Sequence, residues 1–386
     1  MAFTIARAAT LLRVDERVLT ERLVTYDTST AEGLHAAAGF VKGWLEARDI
    51  EVEAHRFGDL HALTASVGPE GAPTLVFHGH LDIVPGHAEQ FQPRTEGDRL
   101  YGRGAYDMKG GLAAMMCATH DLVDQQDVRV RLVIVPDEES EDISVRSSDD
   151  LVRRGYVGDF AITGEPTDLH IGIQAKGVLA LRIEVAGTAA HGSTPWVGDN
   201  AVLKAIDIFR QIESLPFTRE SSELFDRPSI NLGRIVGGDA LNKVPDLCVI
   251  DVDIRYLPGQ DHEDIRAAVE SLGDVRVAKV FHRRPAIVRR DDPYVQALGE
   301  AISRVAEPTG ERLGVGRDGA SDAISFLDAG VPAVECGPHG DGHHGPEEWV
   351  SIRSLGQYRA ALVEFVNLLP ARLAAGGEDD RRLRIA

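Results

Sequence analysis

The chain has 386 residues, 43% of them hydrophobic, which is enough for a large packed core and too apolar for a disordered chain. A formal charge of −20 and a pI near 5.1 exclude attachment to nucleic acid or an anionic membrane through bulk electrostatics. The three cysteines, Cys117, Cys248 and Cys336, are too scattered for a metal-type or disulfide-type spacing and read as reduced core thiols. Arg7 and Arg13 interrupt the N-terminal apolar residues and no stretch has the length of a membrane span, so the expectation is a cytoplasmic protein with no membrane partner.

Helical periodicity in Val18, Leu19 and Leu23, then in Ala36, Phe40, Val41, Trp44 and Leu45, predicts two helices within residues 15–50. "TLVFHGHLDIVPG" is a short apolar strand running into a loop closed by Pro85 and Gly86. "DMKGGLAAMMCATHDLV" reads as a helix from about Asp107 whose glycine pair permits close packing, and "VRVRLVIVP" and "DFAITGEPT" read as further strands. Strands alternating with helices predict an α/β open sheet, whose sites lie beyond the carboxyl ends of its strands.

The middle of the chain differs. "VLALRIEVAG" is a strand and "NAVLKAIDIFRQIESL" an amphipathic helix with Asn200 as N-cap. "SINLGRIVGG" and "LCVIDVDIRYL" are strands, "HEDIRAAVESL" a helix and "DVRVAKVFH" a strand. The order β-α-β-β-α-β is that of a ferredoxin-like α+β unit. The α/β pattern resumes near 288 with "PYVQALGEAISRVA", "DAISFLDAG", the strand "VPAVEC" and a closing helix over 352–373. The expected organisation is therefore 1–174 and 288–386 as one domain, with 175–287 inserted as a lid.

In "VRVRLVIVPDEES" an apolar run from Val130 to Val135 ends in Asp137, Glu138 and Glu139. Adjacent like charges repel, and the choice is between a solvated loop and a neutralising cation. Ligand-type residues recur at the other predicted strand ends: His80 and Asp82, Asp107, Glu165, and the pair His343 and His344. Each alone has an ordinary structural reading. Imidazoles and carboxylates gathered at one sheet edge favour the cation, and that mixture suits zinc, cobalt or manganese better than calcium.

The ordered set "GHLDIVPG", "GRGAYDMKGGLAA", "VPDEE", "TGEPT", "AAHGSTPWVGDNA", "LNKVP…DVDIR" and "GASDA…GP…H" resembles a family of two-metal amidohydrolases. That family includes acetylornithine deacetylase, succinyl-diaminopimelate desuccinylase, aminoacylase and glutamate carboxypeptidase. The resemblance spans essentially the whole chain and implies a zinc-peptidase-like open mixed sheet flanked by helices, with an inserted lid and dimerisation domain. It implies two divalent metal ions, zinc with cobalt or manganese as alternatives, and a homodimer acting on a small N-acyl amino acid or short peptide.

The resemblance also implies roles. His80 and Glu165 hold one ion, Glu139 and His344 the other, and Asp107 bridges them. Asp82 accepts the second ring N–H of His80. Glu138 is the general base, since consecutive side chains on an extended segment point opposite ways. His191 and Asn242 assist the tetrahedral oxyanion, and Arg255 pairs with the substrate carboxylate. Lys176 and Ser321 are further substrate-contact candidates. The family's acid and apolar residue, four and six positions past the ligand histidine, fall at Glu348 and Val350 counted from His344; counted from His343 they fall at Glu347 and Trp349. This favours His344, and His78 reads as structural.

Two segments depart from the family. "SEDISVRSSDD" replaces a glycine-containing loop after the glutamate pair, and "IQAKGV" stands where the desuccinylases carry an arginine-rich turn. The implied function is hydrolysis of the amide of an N-acyl amino acid. The alternatives are a dipeptidase or carboxypeptidase of the same family and, from a different class, a non-catalytic metal-binding relative.

Overall fold

The computed structural model describes residues 15–140, 146–306 and 314–383, without the side chains of 375–383. The chain divides into two compact units, Met1–Gly172 with Val288–Gly314 and Ser325–Ala386, and Ile173–Ile287 with Val315–Ile324.

The first unit opens with α1 (Glu16–Val24), α2 (Ala31–Glu46), β1 (Val52–Phe57), β2 (Leu60–Val67) and β3 (Thr74–His80). There follow β4 (Arg94–Glu96), β5 (Arg99–Tyr101), α3 (Gly110–Asp121), β6 (Arg129–Val135), α4 (Ser147–Arg153) and β7 (Phe160–Thr163). The chain passes into the second unit within β8 (Ile171–Ala175) and returns through α7 (Pro293–Val305), with β15 (Ala333–Glu335), β16 (Gly340–Asp341), β17 (Trp349–Ser351) and α9 (Ile352–Leu383) completing the first unit.

The main sheet of this unit is ordered β1-β2-β6-β3-β7-β15. Its members from β6 to β15 are parallel, while β1 and β2 are antiparallel. The apolar runs of β3, β6 and β7 are buried along almost their whole length, as parallel strands covered on both faces must be. Every residue of α3 from Gly110 to Thr119 is buried. The glycine pair makes that possible, because a Cβ on Gly111 would stand 2.4 Å from the Gly164 carbonyl oxygen.

In the second unit, β9 (Gly177–Ala186), β10 (Ser229–Gly237), β11 (Leu247–Tyr256) and β12 (Val275–Arg283) form an antiparallel sheet ordered β10-β11-β9-β12, with α5 (Ala201–Ile212) and α6 (His262–Glu270) beside it, while the short strands β13 (Ala286–Ile287) and β14 (Gly314–Arg317) pair with β8. Alternate residues Leu179, Leu181, Ile183 and Val185 of β9 and Ile250, Val252 and Ile254 of β11 pack on Ala205, Ile208 and Phe209 of α5 and on Ile265 and Val269 of α6. The Asn200 side chain caps α5, accepting from the amides of Val202 and Leu203.

Four details differ from the sequence reading. The hairpin of β1 and β2, turned at Gly58 with φ +56°, and the small sheet β16-β17-β5-β4 were not foreseen. The helix expected from Asp107 begins at Gly110, because Asp107 and Met108 leave helical geometry with φ of −116° and −125°. The last helix continues past 373 to Leu383. Among the described residues no helix is long and apolar enough to cross a membrane.

Candidate active site

His80 ends β3 and is 1% exposed. Its Nδ1 lies 2.9 Å from the main-chain carbonyl oxygen of Asp82. A carbonyl oxygen only accepts, so Nδ1 carries the ring proton and Nε2 is the nitrogen turned to the site. There it faces Asp107 Oδ1 at 3.1 Å and Glu165 Oε1 at 3.4 Å. The expected carboxylate contact from Asp82 is longer, 3.5 Å to Nδ1, because Asp82 Oδ2 accepts the main-chain N–H of Glu139 at 2.7 Å. Asp82 therefore ties the loop after β3 to the loop after β6.

Asp107 offers its other oxygen elsewhere. Oδ2 is 3.3 Å from Nε2 of His344 and also receives a very short hydrogen bond from His343. His344 Nε2 is in turn 2.9 Å from Glu139 Oε1. His343 and His344 thus both reach Asp107, and of the two His344 also meets Glu139.

The three acids after β6 part company. Asp137 accepts from the amide of Ser147 at 2.8 Å and caps the start of α4. Glu138 is met by Arg146, whose guanidinium lies 3.3 Å from its carboxylate and 2.5 Å from its carbonyl oxygen. Glu139 turns to His344. Separate partners remove the mutual repulsion that a bare acidic run implies.

Electrostatics mark the same cluster. Burial alone would lower the pKa of His80, but the carboxylates of Asp107, Asp82 and Glu165 outweigh it and drive it well above the ordinary value. Burial and the neighbouring Asp107 charge push Glu165 up to about 7. Asp107 and Glu139 raise His344 to about 10.

The donor set fits divalent cations. Nε2 of His80 and two carboxylate oxygens present lone pairs to one point, a repulsive arrangement that a cation or a proton must relieve. Two ligand atoms bound to one zinc at ~2.0–2.2 Å with tetrahedral angles stand about 3.3–3.6 Å apart. The contacts of 3.1 and 3.4 Å around His80, and of 3.3 and 2.9 Å around His344, lie near that spacing. Two groups of ligand atoms emerge: His80 with Asp107 and Glu165, and Asp107 with His343 and His344.

Sequence reading missed the groups that brace this cluster. Glu348, used there only to choose between histidines, is 1% exposed and accepts the main-chain N–H groups of Gly104, Tyr106 and Asp107. Arg103 was overlooked, and Arg146 lies in the segment that departs from the family. Only the unusual basic residue in an acidic stretch could have flagged Arg146. His78 bonds Thr163 and Ser148, each at 3.0 Å, away from the cluster.

The remaining candidates belong to the second unit. His191 and Asn242 are brought together there, with the amide of Gly192 donating to the Asn242 carbonyl at 2.7 Å. The Ser193 amide donates to Nδ1 of His191, which leaves the ring proton on Nε2. Arg255 stands on the sheet face opposite the helices, its Nε held by Asp253 at 3.0 Å. Lys176 is nearly buried and donates to the Arg227 carbonyl at 2.6 Å and to Asp318 at 2.8 Å. Ser321 accepts from the amide of Ala323 at 3.1 Å, at the start of α8 (Ala323–Asp328).

Comparison with known proteins places the chain among its relatives. The chain is 30% identical over 374 residues to acetylornithine deacetylase of Myxococcus xanthus, covering 90% of this chain and 95% of that one. It is 30% identical over 372 residues to succinyl-diaminopimelate desuccinylase of Caulobacter sp. strain K31, covering 89% and 92%. An M20 family metallo-carboxypeptidase from Sulfolobus solfataricus shares the fold, with a TM-score of 0.74 at 19% identity over 92% of this chain and 99% of that one. The model of Peptidase family M20/M25/M40 matches residues 76–368, and the chain belongs to that family.

Proposed function

We propose that the protein is a two-metal amidohydrolase that cleaves the amide of an N-acyl amino acid. The observation that carries this reading is the division of Asp107, one oxygen toward His80 and the other toward His344. His80, Asp107 and Glu165 would hold one divalent ion, and Asp107, Glu139 and His344 the other, with zinc the first choice and cobalt or manganese the alternatives. Bound there, such ions supply a water of lowered pKa and a polarised substrate carbonyl.

The chain's own groups do the rest. Glu138 takes the proton of the attacking water and returns it to the leaving amine, a carboxylate serving as base and then as acid. Asp82 orders the first loop through its carbonyl contact with His80 and the second through Glu139. His191, with its proton on Nε2, suits donation to a developing oxyanion, with Asn242 beside it. Arg255 offers a guanidinium to the substrate carboxylate. Lys176 and Ser321 would add further substrate contacts, from positions fixed by the Arg227 carbonyl and the Ala323 amide.

A homodimer is part of the proposal, assembled through the second unit. Its edge strand β10 exposes Ile235 and Val236, and the neighbouring α5 exposes Leu203 and Ile206. An apolar face beside an open strand edge calls for a cover. We place the protein in the cytoplasm, with no nucleic-acid or membrane partner.

The deciding experiment is amine release by purified protein loaded with zinc or cobalt, against acyl amino acids and dipeptides. One strongly preferred acyl amino acid is the expected result. Preference for a dipeptide would move the protein to the peptidase branch that its structural neighbour represents. Inactivity together with no bound metal would overturn the proposal.

A further inference from the structure

The carboxylate of Glu348 is buried yet reaches no histidine of the cluster. Its Oε1 accepts the amides of Tyr106 at 3.0 Å and Asp107 at 3.2 Å. Its Oε2 accepts the amide of Gly104 at 3.0 Å and the guanidinium of Arg103 at 2.8 Å. The main-chain carbonyl of Glu348 takes the amide of Gly102 at 3.0 Å. One side chain thereby fills the turn from Gly102 to Asp107 and sets where the Asp107 carboxylate stands.

Arg103 extends the bracing to a second loop. It is 4% exposed, and its other terminal nitrogen donates to the carbonyl oxygen of His344 at 3.0 Å. His344 has φ of +58°, the left-handed region that a residue with a Cβ occupies only when its surroundings hold it there. Asp107 and His344 are thus positioned by one buried ion pair, and their side chains meet at 3.3 Å.

The two cation positions depend on this pair unequally. Around His80, two of the three ligands sit at the ends of β3 and β7, independent of Arg103 and Glu348. Around His344, both Asp107 and His344 depend on it. We propose, building on the two-metal reading above, that Arg103 and Glu348 are a positioning pair that governs occupancy of the Glu139–His344 cation site and leaves the His80–Glu165 site largely unaffected. Neither residue touches the reacting atoms; they act through the geometry of Asp107 and His344.

The test uses the full chain carrying Arg103→Lys or Glu348→Gln, with His344→Ala as the reference for a lost second site. Lysine keeps the charge but lacks the fork that spans Glu348 and the His344 carbonyl. Bound zinc is counted by mass spectrometry after dialysis, and cobalt binding is titrated by calorimetry and visible absorption. The expected result is a first ion bound within about threefold of wild type and a second weakened by about 10–100-fold, the size typical of outer partners of metal ligands. At saturating metal, kcat should recover with KM unchanged.

Circular dichroism identifies a variant that fails to fold, and Arg103→Lys, the milder change, then carries the test. Equal loss of both ions, or a second ion held as tightly as in wild type, would overturn the positioning role. A wild-type chain that binds fewer than two ions would instead overturn the two-metal reading itself.

Discussion

Arg146 and Glu138 meet at two points, guanidinium to carboxylate at 3.3 Å and guanidinium to main-chain carbonyl at 2.5 Å. A side chain held at both its head and its own backbone has little freedom to turn, and the pair is mostly shielded from solvent. Arg146→Met should lower kcat about tenfold, or ~1.4 kcal/mol of barrier, with KM and metal content nearly unchanged. Steady-state kinetics with metal analysis checks this, and an unchanged kcat would remove Arg146 from the machinery.

Glu138 and Glu139 are neighbours with different tasks in the proposed mechanism. Glu138→Ala should cut turnover by roughly 10²–10⁴ while both ions stay bound. Glu139→Ala should shed one ion. If Glu138→Ala loses metal and Glu139→Ala does not, the two assignments are interchanged.

Metal affinity should rise with pH. Asp107 and Glu139 push His344 up to about 10, so near neutrality an incoming ion must displace its proton. Raising the pH lowers the cost of that displacement, and lowering it from 8 to 6 should weaken binding by about a hundredfold for each proton released. Calorimetry in buffers of different ionisation enthalpy counts the protons. A pH-independent Kd would contradict the assignment of His344 as a ligand.

The same substitution should act with opposite sign at two helical glycines. Glycine to alanine in a helix gains up to about 1 kcal/mol in propensity. Gly39 in α2 has open space around it, so Gly39→Ala should stabilise by roughly that amount. At Gly111 the new Cβ would press on the Gly164 carbonyl at 2.4 Å, and overpacking costs of about 1–3 kcal/mol outweigh the gain. Thermal melts of the two variants should move apart.

A charge on the apolar face of the second unit should block its pairing. Ile206 and Ile235 are exposed on α5 and on the helix side of the edge strand β10, and Ile206→Glu with Ile235→Glu should give a monomer by light scattering. A parent protein that is already monomeric would remove the dimer from the proposal.

Much of this molecule was legible from residue order. β3, β6 and β7 announced themselves as apolar runs because parallel strands are covered on both faces, and the chemistry-bearing residues follow their ends directly. The β-α-β-β-α-β order of the second unit was visible for a related reason: alternation along β9 and β11 is what one covered sheet face requires. The hairpin of β1 and β2 escaped because β1 is mostly exposed and lacks an apolar signature.

Residue identity near the strand ends, then, pointed to His80, Asp107, Glu165, the acids after β6 and the pair His343 and His344, since ligand chemistry depends on atom types that a sequence states outright, and the family resemblance chose Glu139 and His344 among them. How that cluster is braced depended on folding. Arg103 and Glu348 are 245 residues apart, and nothing local marks them as partners. Both are ordinary charged residues in the chain, and they become a positioning pair because burial leaves each with few other groups to bond. The same is true of Arg146 and Glu138, and of the loop that brings His343 as well as His344 onto Asp107. Long-range pairing of buried charges is set by which loops the sheet brings together, and no local pattern encodes that.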